Sequence, residues 1–341
     1  MRVLVTGAGG RIGFQLSGLL LAERHDVRAF GLPAERGRLS ELAADGAEVV
    51  FGDLEDPASV EPAVAGVDVV CHLAAALTTH DVADERFVDV NVGGTFNLLQ
   101  AIRRQAPGLR RLVYTSSDAV YLSAGDDPPP ELIDETSPVQ PGTVYGATKV
   151  GAELLCRSFW RTYGIPFTVM RPTATASPAE LISPRSVFAR RWFVRAAIDW
   201  YEARPAPSAD EQALLDDLHA ADDGTDTKMY ALVGPDGAAS YSTYGDARDA
   251  AAGMRAMIEP EGAVGEAFNI GPAAPHADRE LVEHIGRRLG VEVAEIRNAG
   301  VRAPWRVTSA KAQAMLGYRP QRSVFDMVDE AVAQLSAEPA R

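Results

Sequence analysis

Through the first half of the chain, short apolar runs alternate with longer segments whose apolar positions recur every three to four residues. A strand period alternating with a helix period predicts a parallel sheet covered by helices. The expected strands are Arg2 to Thr6, Val27 to Phe30, Glu48 to Gly52, Asp68 to Leu73, Leu112 to Ser116 and Phe167 to Arg171. Ile12 to Glu23, about Phe87 to Arg104 and Val144 to Tyr163 are expected as helices. Asp56-Pro57 opens a further short one, since proline suits a first-turn position. Beyond Pro172 the alternation fades. Ser183 to Tyr201 reads as an aromatic, arginine-rich helix, Ala267 to Ile270 as one more buried strand, and Asp278 to Leu289 and Ser309 to Leu316 as helices. The expected class is α/β, a doubly wound parallel sheet with a smaller, mostly C-terminal second unit.

Composition changes this picture little. Of 341 residues, 46% are apolar and 23% charged, ordinary for a globular protein. No run approaches the roughly 20 apolar residues that span a bilayer. The apolar Leu19 to Ala22 follows a polar, glycine-rich segment without the basic lead or cleavage site of an export signal, so a cytoplasmic protein is expected. A formal charge of −14 argues against nucleic acid or an anionic membrane as partner. Cys71 and Cys156 form no disulfide framework and have no metal-type spacing, so no metal is expected, and Cys71 reads as an inert core thiol. The acidic stretch Pro205 to Asp226 reads as a solvated helix and loop, with a mobile flap near the active site as the alternative. Pro128-Pro129-Pro130 reads as a stiff surface loop.

Chemistry first becomes visible at Thr6-Gly7-Ala8-Gly9-Gly10-Arg11-Ile12-Gly13, directly after the first strand. Gly7 permits a tight turn, Gly10 lets the backbone approach a pyrophosphate, and Gly13 allows close helix–strand packing. The helix that opens at Arg11 and Ile12 offers unpaired N–H groups to phosphates. This context predicts dinucleotide binding. A second cluster is Tyr145-Gly146-Ala147-Thr148-Lys149, with a phenol and an amine four residues apart on one helix face. A free tyrosine titrates near about 10, and a neighbouring ammonium is expected to favour its phenolate. Ser117, in Thr115-Ser116-Ser117-Asp118-Ala119-Val120-Tyr121, ends the fifth strand at the carboxyl edge where such sheets bind ligands.

The spacing Gly-x-x-Gly-x-x-Gly resembles the short-chain dehydrogenase/reductase superfamily, and the later motifs resemble its extended branch, the NAD-dependent epimerase/dehydratase-like proteins. The resemblance implies a Rossmann sheet over 1–172 with a strand returning near 240–271. It also implies a substrate-binding subdomain from 173–239 and 272–341. Asp53 and Leu54 are expected at the adenine, Leu73, Ala74 and Ala75 beside the adenosine half, Asn91 in the fourth helix, and Pro172 against the cofactor. Tyr145 is implied as the acid–base residue, Ser117 as the hydroxyl that binds the reacting oxygen, and Lys149 as the residue that tunes Tyr145 and holds the nicotinamide ribose. Asp118 and Thr173 are expected beside the substrate. Tyr121 fits a substrate contact or a packed aromatic.

Departures from the family pattern narrow the function. Gly31 stands where a carboxylate usually grips the adenosine 2′-hydroxyl, which leaves NAD and NADP both open, and Arg36 and Arg38 lie close enough in sequence to meet a phosphate. Ala119 replaces the second acid of the sugar dehydratases. Ala174 and Thr243 replace an asparagine and a histidine of the nucleotide-sugar enzymes. Arg185, Arg190, Arg191 and Arg195 fit an anionic substrate or a helix surface. The reading is an oxidoreductase interconverting a secondary alcohol and a ketone on a sugar-like or other small hydroxylated substrate. A sugar epimerase and a non-catalytic NAD(P)-binding sensor are the alternatives. A homodimer is expected through the helices that carry Phe96, Leu99, Leu155 and Phe159.

Overall fold

In the computed structural model, residues 1–77, 83–121, 132–204, 207–298 and 305–337 are described. The proline triplet at 128–130 and the start of the acidic stretch, 205–206, lie outside them. The apolar runs pair as their alternation requires. Strands β1 (Arg2–Thr6), β2 (Asp26–Gly31), β3 (Glu48–Phe51), β4 (Val69–His72), β5 (Arg111–Thr115) and β6 (Phe167–Pro172) join Ala267–Ile270 in a 7-stranded sheet. Every pairing is parallel, in the order Ala267–Ile270, β6, β5, β4, β1, β2, β3. The winding therefore reverses between β1 and β4, where Thr6 pairs with His72. Ligands of doubly wound sheets bind outside the carboxyl ends at such a switch point.

Helices on both faces explain why the strands are buried along their length. On one face Val3, Val5, Val27 and Cys71 pack with Leu16 and Leu20 of α1 (Arg11–Ala22). On the other, Leu4 and Val70 pack with Leu98, Ile102 and Phe159. Cys71 is an apolar wall residue whose thiol burial pushes up to about 12, which keeps it unreactive.

The helix α2 (Arg36–Ala44) follows β2, and α3 (Pro57–Val64) starts as expected with Asp56 accepting the Ala58 N–H at 3.0 Å. The helix expected from Phe87 to Arg104 is interrupted. It runs as α4 (Asp84–Phe87), a π-helical stretch Val88–Gly94, and α5 (Thr95–Gln105). Helix α6 spans Val144–Tyr163, capped by Thr143 and ended by Gly164 in the left-handed region. Of the apolar positions expected at a dimer surface, Leu99 and Phe159 turn into the core, whereas Phe96 is 42% exposed; Leu154 and Tyr163 of α6 are exposed as well.

Internal packing divides the chain into two units: Met1–Thr175 with Ala247–Gly271 and Val307–Pro320, and Ala176–Asp246 with Pro272–Arg306 and Gln321–Arg341. In the second unit, Met229–Val233 pairs in parallel with Val293–Arg297, a pairing the fading alternation did not reveal. The stretch Ser183 to Tyr201 is α-helical only from Val194. Before that it turns tightly, with Phe188, Ala189 and Trp192 buried and the Trp192 indole N–H donating to the Leu181 carbonyl at 3.0 Å. The acidic stretch forms the helix Ala209–Ala221, whose Leu214, Leu215 and Leu218 pack on Ile198 and Tyr230 while its carboxylates face outward. Among the described residues, no helix is long and apolar enough to cross a membrane.

Candidate active site

The glycine loop is shaped by close backbone approach. Gly7 sits at φ 66°, and a Cβ there would fall 2.8 Å from the Ala74 nitrogen. A Cβ on Gly13 would lie 2.2 Å from the Gly7 carbonyl oxygen, so α1 can rest on the loop only without a side chain at that position. The Gly10 N–H donates to the Gly7 carbonyl at 2.9 Å, which closes the turn before α1 begins at Arg11 and Ile12. What results is a tight cradle of close-packed backbone facing a helix N-terminus, the arrangement that a pyrophosphate requires. Leu73, Ala74 and Ala75 follow β4 directly across from it, with the Leu73 and Ala74 N–H groups both donating to Thr6 Oγ1 at 3.2 Å. Asp53 and Leu54 follow β3. Leu54 is 3% exposed and wedged against Gly94, and its carbonyl accepts from Asn97 at 2.9 Å.

Ser117, Tyr145 and Lys149 meet at the carboxyl edge. Ser117 caps the short turn Asp118–Val120, its Oγ accepting the Ala119 N–H at 3.1 Å. Tyr145 faces Ser117, whose Oγ also donates to Asp118 Oδ1 at 3.3 Å, and its ring meets Phe87 edge-on at 5.9 Å. Lys149 is 3% exposed, its Nζ 5.2 Å from the centre of the Tyr114 ring and 5.9 Å from that of Tyr145. The expected lowering of the tyrosine is not what this arrangement produces. Burial pushes Tyr145 up to about 12, the Ser117 hydroxyl pulls against it, and Asp118 adds to the rise. The ammonium does not offset that burial, because it lies over the ring faces, and burial pushes Lys149 itself down to about 7.

A continuous hydrogen-bond relay joins the glycine loop to this cluster. Thr6 Oγ1 and His72 Nδ1 are 2.7 Å apart, and His72 Nε2 and Thr95 Oγ1 3.0 Å apart. The Thr95 hydroxyl donates to the Asn91 carbonyl at 2.6 Å. Because that fixes the Thr95 proton, His72 donates through Nε2 and accepts the Thr6 hydroxyl at Nδ1. Burial, assisted by the Lys149 charge, pushes His72 down to about 3, so the ring is neutral. Asn91 Oδ1 accepts the Ala76 N–H at 2.8 Å, and its Nδ2 donates to Thr148 Oγ1 at 3.2 Å. Thr148 in turn donates to the Tyr145 carbonyl at 2.8 Å. The π-helical turn, wider than an α-turn, is what carries Asn91 inward between β4 and α6.

His72, Thr95 and Thr148 escaped the sequence reading, because a buried polar residue in a strand or helix has no periodic signature. Pro172 ends β6 opposite Ile270. Thr173 is 3% exposed, its N–H donating to the Ile270 carbonyl at 2.9 Å and its hydroxyl without a hydrogen-bond partner among the described residues. Tyr121 is the packed aromatic of its two readings: its hydroxyl donates to Asn269 at 2.9 Å and accepts from Arg171 at 2.8 Å. Arg171 is also held by both oxygens of Glu153, at 2.9 and 2.7 Å, so the far side of α6 is pinned to β6. In the second unit Thr243 donates to the Trp305 carbonyl at 2.9 Å, Arg195 pairs with Asp222 at 2.9 Å, and Arg190 lies 4.6 Å over the Trp200 ring.

The sheet order, the glycine cradle and the serine–tyrosine–lysine cluster define a short-chain dehydrogenase/reductase of the extended kind. The chain belongs to the NAD dependent epimerase/dehydratase family, whose description matches residues 3–271. It is 36% identical over 196 residues to a dTDP-glucose 4,6-dehydratase of Mycolicibacterium smegmatis, an alignment covering 55% of this chain and 58% of that protein. It is 29% identical to a 4-hydroxy-2-methyl-3-oxo-4-farnesyl-3,4-dihydroquinoline-1-oxide ketoreductase of Stigmatella aurantiaca, over 85% of this chain and 82% of that one. A short-chain dehydrogenase/reductase superfamily protein of Agrobacterium tumefaciens, solved with bound NAD, superposes with a TM-score of 0.86 at 27% identity, over 98% and 97% of the two chains.

Proposed function

We propose that this protein is an NAD(P)-dependent oxidoreductase that interconverts a secondary alcohol and a ketone on a small, sugar-like or otherwise hydroxylated substrate. The observation that carries the reading is the meeting of Ser117, Tyr145 and Lys149 at the carboxyl edge of the sheet, with Lys149 buried 5.9 Å over the Tyr145 ring. Gly7, Gly10, Arg11, Ile12 and Gly13 would hold the pyrophosphate of the cofactor, and Asp53, Leu54, Leu73, Ala74 and Ala75 its adenosine half. Asn91, Tyr145, Lys149 and Pro172 would border the nicotinamide half. The bound cofactor supplies the acceptor or donor of hydride.

The chain's own residues handle the proton. In reduction, Tyr145 is the acid: its phenol, held protonated by burial, passes a proton to the carbonyl oxygen while Ser117 hydrogen-bonds the same atom. In oxidation Tyr145 must first lose that proton, and Lys149 in its ammonium form favours the phenolate. Asp118, beside Ser117, and Thr173, just after β6, would meet the substrate. The second unit is proposed as the substrate-binding subdomain. Ala119 supports redox chemistry over dehydration, since Asp118 then lacks a second acid. Exposed Phe96, Leu154 and Tyr163 support a homodimer through α5 and α6, which light scattering measures. The free, buried cysteines are in keeping with a cytoplasmic setting.

Reduced-nicotinamide absorbance, followed with a panel of polyols, aldoses and sugar acids and both cofactors, tests the reading. Net formation of reduced cofactor supports it. Substrate conversion without net cofactor change points to an epimerase, and tight cofactor binding without any conversion to a sensor.

Lys149 also makes a prediction about stability. Its pKa is pushed down to about 7 in the folded protein from an ordinary 10.5. Between these values the unfolded chain carries a proton that the native one lacks, so this residue makes stability rise with pH across that window. Lys149→Met is expected to flatten that rise, which denaturant midpoints at both ends of the window would record. Equal pH slopes in the two proteins would mean that the lysine is not depressed.

A further inference from the structure

We infer that Glu35 supplies, from outside the second strand, the carboxylate that makes this protein select NAD over NADP. The inference rests on the dinucleotide-binding reading above and resolves the question that Gly31 left open. After Gly31, Leu32 and Pro33 lead into a single turn, Pro33–Glu35, in which the Glu35 N–H donates to the Leu32 carbonyl at 2.9 Å. That turn folds the Glu35 side chain back over the strand end, where Oε2 accepts the Leu32 N–H at 2.9 Å.

Its two oxygens then sit where the missing acid would be. A Cβ built on Gly31 would fall 2.5 Å from Glu35 Oε2, and one on Gly9 would fall 2.8 Å from Glu35 Oε1. The carboxylate therefore bridges the end of β2 and the middle of the glycine loop, which are themselves joined by the Ala8 N–H donating to the Phe30 carbonyl at 3.2 Å. A side chain at position 31 or 9 would compete with Glu35 for that space. On this geometry Gly31 is not a lost carboxylate but the room into which one swings from four residues further on.

The chemistry follows from the charge. An adenosine ribose with both hydroxyls free can donate to a carboxylate, whereas a 2′-phosphate carries a further charge of about −2 and meets it with like-charge repulsion. The competing cations are Arg36 and Arg38, and both are laid on aromatic faces: Arg36 at 4.6 Å over Phe51, Arg38 at 4.5 Å over Phe14. Removing the Glu35 charge would leave Arg36, next in the chain, to meet a phosphate unopposed.

A purely structural Glu35 would matter only as the acceptor for the Leu32 N–H, and Gln preserves that role. NADH and NADPH binding, measured by nicotinamide fluorescence without substrate, is therefore to be compared in the wild type, Glu35→Gln, Glu35→Ser and Glu35→Gln with Arg36→Ala. The wild type is expected to favour NADH by roughly tenfold or more, and Glu35→Gln to lose most of that preference by gaining NADPH affinity. Adding Arg36→Ala is expected to cancel the gain. A preference unchanged in Glu35→Gln, or one lost only in Glu35→Ser, overturns the inference, as does a wild type that favours NADPH. Binding of neither cofactor removes this inference together with the dinucleotide reading beneath it.

Discussion

Tyr145→Phe is expected to bind cofactor as the wild type does and to lose turnover by about 10²- to 10⁴-fold, the range that a positioned acid–base group contributes. The substitution removes one oxygen and leaves the rest of the site in place. The ring keeps its edge contact with Phe87 at 5.9 Å, and the backbone carbonyl of residue 145 still accepts from Thr148. Ser117 also keeps its own cap, because its Oγ goes on accepting the Ala119 N–H. The loss should therefore fall on kcat rather than on cofactor affinity, the mark of an interaction used in the transition state. The direction of the tyrosine shift adds a second readout. A phenol held up to about 12 is ready to donate but reluctant to ionise, so wild-type oxidation should accelerate as pH rises while reduction stays flat over the neutral range. Rapid kinetics in both directions would record this. Turnover that survives in the Phe variant would assign the proton to another group.

How much of this was legible in advance depended on how local each signal was. The glycine loop and the tyrosine–lysine pair are contiguous, and the edges of β1 and α6 fall where the residues place them. The π-helical stretch was not legible, because Val88, Val90 and Val92 simply alternate and mark neither an α-turn nor a wider one. Ser183 to Tyr201 misled for a related reason: aromatic and arginine residues suit a helix, but the ring of Trp192 is anchored to Leu181, and the chain bends there. Charge was the least legible of all. Lys149 was expected to draw Tyr145 down, yet burial dominates both groups. Burial is set by residues as distant in sequence as Tyr114 and Phe87. Gly31 shows the same limit in another form. Read by position it is a missing acid, and read in space it is the clearance for Glu35.

Gly146→Ala is expected to lower kcat by about 10²-fold although it places a better helix former in α6. The residue lies between Tyr145 and the rest of the helix, and it is where α6 rests on the turn that carries Ser117. A Cβ at 146 would fall 2.6 Å from the Ala119 carbonyl oxygen and 3.0 Å from Pro141 Cβ. The first of these is backbone, which yields only by moving the turn. Ala119 is tied through its N–H to Ser117 Oγ, so displacing its carbonyl shifts the serine away from the tyrosine with which it must share one oxygen. A misplacement of about 1 Å between such groups is enough for a loss of that order. The glycine cradle lies at the other end of the hydrogen-bond relay, so NADH affinity should change far less than kcat. Ala147→Gly, at the exposed neighbouring position, serves as the control: it weakens the helix by about 1 kcal/mol without touching the turn, and should leave kcat intact. If both variants behave alike, the effect belongs to helix stability, and the approach of α6 to the Ser117 turn is not what sets the reacting geometry.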